Sequence, residues 1–452
     1  MCLSLGNVIV GYSVCWSAPV IPKLLDAAQT PLTEVLTVEQ ASWLAAIFHL
    51  FVIIGSQTGA FLSNLVGRKP TLILFGAICL SSHIIRVLAR DFNILLAGRI
   101  VNGLGVGGIA SGNLVYIGEI ASSDLRGIML TVTGVLHTIG GLLVFSLGPY
   151  VSYAVVEYTA IALGVTHIGA LFLIVETPVY HVIKGNEEAA RSTLHFLGRS
   201  KDVDKELKTM IENVNRINVK YTQVNSKNML SNCMLLDILR RRRNRRAMLI
   251  TATLLTIQEG SGIACILSFA TTIFRQAASS VDADVATIIL GVTQVFGILL
   301  APILVERYGR KSLLIFSTAA CALWTALLGA HFYLELIQHP ILYSIRWVPL
   351  ATLISFLICY NAGLGIIPNV LVGEMFSPNV RSTGSSIAMS ISWVAAFLSS
   401  LSFGYIIMLI GTYILFIIFA CLNIIGCIFT IKFVPETKGK SLSEIEEMLA
   451  KR

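Results

Sequence analysis

The 452 residues are 55% hydrophobic and only 13% charged, roughly half the charged share of a soluble domain, which excludes a water-soluble globular fold. The formal charge of +8 raises nucleic acid as a partner. The excess sits beside apolar runs, however, where it sets helix topology and can meet anionic lipid headgroups, so nucleic-acid binding is excluded too.

Six apolar stretches come first, at 5–22, 43–63, 71–89, 94–117, 128–149 and 153–175. Each is as long as a helix needs to be to cross a hydrocarbon core of about 30 Å, whereas a spanning strand needs only about ten alternating residues. The first has no basic leader and contains Pro19 and Pro22, so a retained span is expected and not a cleaved signal. Gly11 and Pro19 there, and Gly103, Gly105, Gly107 and Gly108 in the fourth stretch, are expected to interrupt helices that line a path. Gln57 and Arg99 either line that path or pack. His49, His83, His137 and His167 stand alone on apolar runs and read as core residues.

The segment from Glu176 to Ala247 follows, with 15 Lys/Arg against 8 Asp/Glu, six of the arginines lying between Arg240 and Arg246. That bias marks the cytoplasmic face. Ala190, Leu194 and Leu197, then Val203, Leu207, Ile211 and Val214, recur at helical spacing, which predicts short amphipathic helices under the membrane domain. Cysteines fall mostly within apolar runs and lack ligand spacing, so neither a disulfide framework nor a metal site is expected.

Six further stretches run at 248–273, 285–305, 312–334, 347–372, 383–404 and 410–433. The expected layout is an amino-terminal six-helix half (1–175), a cytoplasmic loop (176–247), a carboxyl-terminal half (248–433) and a cytoplasmic tail (434–452), an all-α polytopic membrane protein with both termini inside. Three motifs repeat in one order. Gly67-Arg68-Lys69 returns at Gly309-Arg310-Lys311, Gly118-Glu119 with Arg126 at Gly373-Glu374 with Arg381, and Glu176-Thr177 at Glu436-Thr437, with offsets of 242, 255 and 260 residues. Three unlike motifs at nearly one offset identify a duplicated half. Arg68, Glu119, Arg126, Glu176, Glu306, Arg310, Glu374, Arg381 and Glu436 all fall at cytoplasmic helix ends, where they either anchor the helices or form pairs that latch the halves shut from inside.

Breaks expected at Gly260 and Gly262, and at Gly363, Gly365 and Pro368, would let polar groups face a cavity. Polar side chains beside them are costly in hydrocarbon and are therefore the ligand candidates: Gln258, Glu259, Gln294, Asn361 and Asn369, with Trp393, Tyr360 and Phe269 as aromatic walls. Amides offer donors and acceptors to hydroxyls, and a ring can cover the apolar face of a pyranose, so a small neutral sugar suits the set. For Trp393 and Tyr360 the alternative is plain aromatic packing, and for Gln258 a bond between helices. There is no Gly-x4-Gly-Lys-Ser/Thr phosphate loop and no hydrolytic triad, which argues against a nucleotide-driven pump and an enzyme.

Two six-helix halves joined by such a loop resemble the major facilitator superfamily. Within it, the chain is similar to the sugar porter family: Pro435-Glu436-Thr437-Lys438-Gly439 with Ser441-Leu442 and Glu444-Ile445, Tyr116-Ile117-Gly118-Glu119-Ile120-Ala121 with Arg126-Gly127, Gly363-x-Gly365 with Pro368, and Gln258 with Ser261-Gly262-Ile263. Ala41-Ser42-Trp43 resembles the insect facilitated trehalose transporters and their relatives. The resemblance implies a monomeric plasma-membrane carrier of trehalose or a hexose, without cofactor, working by alternating access.

Departures from the family pattern qualify the cargo. Glu259 replaces the second of two glutamines, Ala264 an Asn, Gly134 a fifth-span Gln and Asn369 a Trp, which implies a different or larger ligand, or a paralogue that transports poorly. Asn64 replaces an acid that the second half keeps as Glu306, so the amino-terminal latch is expected to be the weaker. Ser13 follows Gly11-Tyr12 where proton-driven members carry Asp, which implies uniport. Two alternatives stand: a proton-coupled sugar or polyol symporter using Glu259, and a non-transporting sugar sensor.

Overall fold

The computed structural model describes residues 2–121, 123–198, 203–212, 214, 240–277, 279–376, 380–440 and 442–451. Among them, twelve helices are long and apolar enough to span a membrane: Leu5–Leu24, Val38–Val66, Arg68–Leu88, Phe92–Ile120, Gly127–Leu147, Tyr153–Phe172, Arg242–Gln276, Ala283–Tyr308, Arg310–Leu336, Val348–Met375, Arg381–Leu409 and Thr412–Phe433. They are numbered first to twelfth below. Several outrun the apolar stretch that announces them because polar residues cap them further out. Thr37 and Gln40 cap each other reciprocally before the second span, and the Asp91 carboxylate accepts from the Ile94 N–H before the fourth.

The packing repeats between the halves. The second span packs on the fourth, the third on the fourth, the first on the fifth and the third on the sixth; in the other half the eighth packs on the tenth, the ninth on the tenth, the seventh on the eleventh and the ninth on the twelfth. The halves meet where the second span lies on the eleventh and the fifth on the eighth. At the face opposite the repeated Gly-Arg-Lys turns, here the far face, Ser17–Leu24 also packs on Ile263–Gln276. Beside that contact, Trp43 Nε1 donates to Tyr405 Oη (3.1 Å), which donates to Glu39 (2.7 Å), joining the halves.

Three spans break. The first bends at Trp16, between Leu5–Cys15 and Ser17–Leu24. The seventh breaks after Gly260, with Gly262 at φ 98°, a conformation that favours glycine, over the Phe419 ring. The tenth is interrupted between Ala362 and Ile367. The fourth does not break, contrary to the expectation from its glycines: it is one helix of 29 residues. There the missing side chains let neighbouring helices approach, Gly105 against Cys79, Gly107 against the Val52 carbonyl and Gly108 against the Phe75 ring.

On the face that carries the Gly-Arg-Lys turns, here the loop face, helix Glu187–Phe196 and residues 203–212 gather Val182, Ala190, Leu194, Val203 and Leu207 into one apolar cluster. A tail helix, Leu442–Lys451, packs on the seventh and tenth spans and buries Ile445 and Leu449. Gly108→Val drives a branched side chain into Phe75, and overpacking of this kind costs about 1–3 kcal/mol. A melting temperature lowered by several degrees, read by fluorescence in detergent, is the expected result.

Candidate functional site

The breaks in the seventh and tenth spans lie against each other. Gln258, the last full turn before the first break, donates from Nε2 to the Gly365 carbonyl (2.8 Å), a group freed by the second. The Gly365 N–H returns to the Tyr360 carbonyl (2.8 Å), and the Tyr360 side chain meets that of Gln258 while stacking on Phe356. A Cβ on Gly365 would come 2.9 Å from the Tyr360 ring, so only glycine fits this crossing. Glu259, next along, is half-buried beside Ser392 of the eleventh span.

The other candidates scatter around this crossing. Gln294 is half-buried on the eighth span, and Asn369 is exposed one turn from Gly373, which has open space around it. Asn361 turns back to the Leu357 carbonyl (3.0 Å) and packs against Gly297, so it joins the eighth and tenth spans. Trp393 reaches across to the amino-terminal half, its ring 6.0 Å from His49. Phe269 is buried near the far face and stacks on Phe403 at 4.0 Å, at the one residue of its helix with non-helical angles. Beside Gly134, Ile298 lies where a side chain would go. Gln57 donates to Ser390 across the halves (3.2 Å), beside a crevice of about 470 Å³ lined by Thr383, Ser386 and Ser390.

The duplicated turns fold twice in the same way. Arg68 donates from Nη2 and Nε to Glu119 (2.7 and 2.9 Å), and Arg310 from Nη2 to Glu374 (2.9 Å). Thr177 donates to Glu119 (2.5 Å), as Thr437 does to Glu374 (2.6 Å). Glu176 accepts from the Lys69 N–H (3.0 Å), and Glu436 from those of Arg310 and Lys311 (3.1 and 3.0 Å), each carboxylate capping the span that follows its Gly-Arg-Lys turn. Each ion pair ties neighbouring spans of one half. Arg381 turns to the Phe376 carbonyl (3.4 Å), and the Arg126 side chain lies outside the described residues.

The amino-terminal pair, expected from Asn64 to be the weaker, is the more buried and the more fully bonded of the two. Arg68 is 3% exposed and adds a bond to the Ser63 carbonyl, whereas the Arg310 and Glu374 side chains are 20% and 26% exposed and Glu306 is exposed, with no ion pair among the described residues. The acid three before the turn does not build the pair; the glutamate on the next helix does.

A buried ionic cluster near the far face had not been singled out. Glu157, fully buried in the sixth span, accepts from Trp16 Nε1 (2.6 Å), faces His83 Nδ1 (3.0 Å) and pairs with buried Arg86 (3.2 Å). Arg99 lies over the same Trp16 ring and donates to the Ser13 and Leu44 carbonyls and to Ser17. Arg99 therefore packs, and Arg86 joins it as a second fully buried cation. The signal was available: a lone Glu in an apolar run is a default functional candidate in a membrane.

Two halves related by internal repeat, with broken helices crossing beside half-buried polar groups, define a solute carrier of the major facilitator class. The chain belongs to the family described as Sugar (and other) transporter, whose sequence model matches residues 1–449. The facilitated trehalose transporter Tret1 of Culex quinquefasciatus is 31% identical over the whole chain, which spans 85% of that protein; that of Aedes aegypti is also 31% identical, and the chain spans 54% of it. Among solved structures, the inward-open xylose transporter XylE of E. coli superposes with a TM-score of 0.78 at 21% identity, covering 99% of this chain and 98% of that one.

Breaking the two ion pairs separates their roles. Glu119→Gln leaves Arg68 buried without its partner and costs about 3 kcal/mol, whereas Glu374→Gln, in a more exposed pair, costs about 1 kcal/mol; melting of the two variants side by side tests the order. Burial pushes the Glu436 carboxyl up, but the backbone N–H groups of Lys438, Arg310, Lys311 and Thr437 outweigh it and hold it below the ordinary glutamate value. Its contribution is thus complete above that value and lost as pH falls through the lower, folded one. Wild type should melt above Glu436→Gln at pH near 7, and the gap should close on acidification.

Proposed function

We propose that this protein is a facilitative carrier, a uniporter, for a small neutral sugar, trehalose or a hexose, in the plasma membrane. Both termini face the cytoplasm, the basic run Arg240–Arg246 sets that orientation, and one chain suffices for transport. The crossing of the broken seventh and tenth spans carries the reading. In this reading a sugar hydroxyl takes over the Gln258 bond to the Gly365 carbonyl, with Glu259, Gln294 and Asn369 as further partners.

The names of the relatives support trehalose, and Ser13, whose carbonyl is taken by Arg99, supports uniport because the first span offers no carboxylate there. Packing of Ser17–Leu24 on Ile263–Gln276 fits the far face being shut in this conformation. The repeated ion pairs then act by keeping each half rigid while the halves rock.

Uptake of labelled trehalose and labelled glucose by cells expressing the chain tests the proposal. Saturable uptake of one sugar that equilibrates without accumulating is expected, with Gln258→Ala lowering it about tenfold or more through the lost hydrogen bond. Accumulation against a gradient that Glu259→Gln abolishes would overturn uniport. Absence of uptake by protein present at the surface would overturn sugar transport.

A further inference from the structure

Away from the path between the halves, a cavity of about 860 Å³ opens on the loop face between the seventh and twelfth spans and the tail helix. Its walls carry two chemistries. Leu249 and Phe433, 59% and 56% exposed on spanning helices, give the lining exposed apolar surface. Arg246, Lys311, Lys432 and Lys440 line the same cavity.

The bonds these cations make leave their charge in place. Arg246 donates to the Leu449 carbonyl (3.1 Å), Lys311 to the Ile431 carbonyl (2.9 Å) and Lys440 to the Met448 sulfur (3.0 Å), all neutral acceptors. The lining carboxylate, Glu436, is directed at the start of the ninth span by the bonds described above. Four cations thus face one carboxylate that is already committed.

We infer that this cavity holds an anionic membrane phospholipid, its phosphate among the four cations and its chains along Leu249 and Phe433. A free phosphate would make no use of the apolar surface, and a zwitterionic lipid would leave the excess positive charge unmatched. A bound headgroup would also bridge the seventh and twelfth spans to the tail, because Arg246 lies on the seventh span, Lys432 on the twelfth and Lys440 just before the tail helix. This inference does not depend on which solute is carried.

Native mass spectrometry and melting of the full-length protein, with phosphatidylcholine or with added phosphatidylinositol 4-phosphate, provide the test. Retention of the anionic lipid with a raised melting temperature is expected. Lys432→Gln combined with Lys440→Gln should weaken lipid binding about twenty-fivefold, near fivefold for each cation, while melting in phosphatidylcholine alone stays unchanged. Should the double variant not fold, Lys432→Gln alone carries the same test at about fivefold. Arg242→Gln with Arg245→Gln, which removes equal charge outside the cavity, should keep binding within about twofold. Equal loss in that control, or equal retention of phosphatidylcholine, would overturn the site; full competition by the water-soluble headgroup without chains would make it a free-phosphate site and overturn the lipid.

Discussion

In hydrocarbon a backbone carbonyl without a partner costs several kcal/mol, and no water is at hand to supply one. A carrier nevertheless needs helices that give way. This chain meets both demands by breaking two helices where each can serve the other: Gln258 on the seventh span answers the Gly365 carbonyl on the tenth. The Tyr360 ring lies under the same glycine, Glu259 follows on the same helix, and the polar groups within reach are spaced from that crossing. A bond that satisfies the backbone at rest is also the one most easily traded for a polar solute.

The two Arg-Glu turns solve another membrane problem, the open ends of helices. In each half a glutamate caps the helix after the glycine turn, a threonine next to it braces a second glutamate, and that glutamate holds the turn's arginine. The unit knits two loops and three spans into one body. Each ion pair stays within its own half, so the halves can part without opening it.

Much of this was readable in the chain. Spans follow from apolar length, and the duplicated turns follow from three motifs at matching offsets, since both signals are local. The breaks at Gly262 and Gly363 were legible because glycine there coincides with polar neighbours. The glycines of the fourth span carried the same letters with the opposite meaning: a kink and a close helix contact cannot be told apart until it is known that Phe75 and Val52 lie opposite. For the same reason Asn64 misled, because the strength of a pair depends on its burial and on the partner helix. Glu157 and Arg86 lay in plain view within apolar runs, but what they do depends on Trp16 and His83, which only the fold brings to them.

The buried charges are not shared evenly. Lys23, Arg68, Arg86, Arg99 and Glu157 all lie in the amino-terminal half, while the buried polar groups of the carboxyl-terminal half are neutral among the described residues. Arg86 and Glu157 pair within a shell of Trp16 and His83, so neither can be exchanged singly without stranding the other's charge. The interior of the carboxyl-terminal half, held by amides and hydroxyls, carries no such linked pair of fully buried charges among the described residues. In a lineage built this way, new cargo would be acquired by drift in one half, while the other stays an inherited frame.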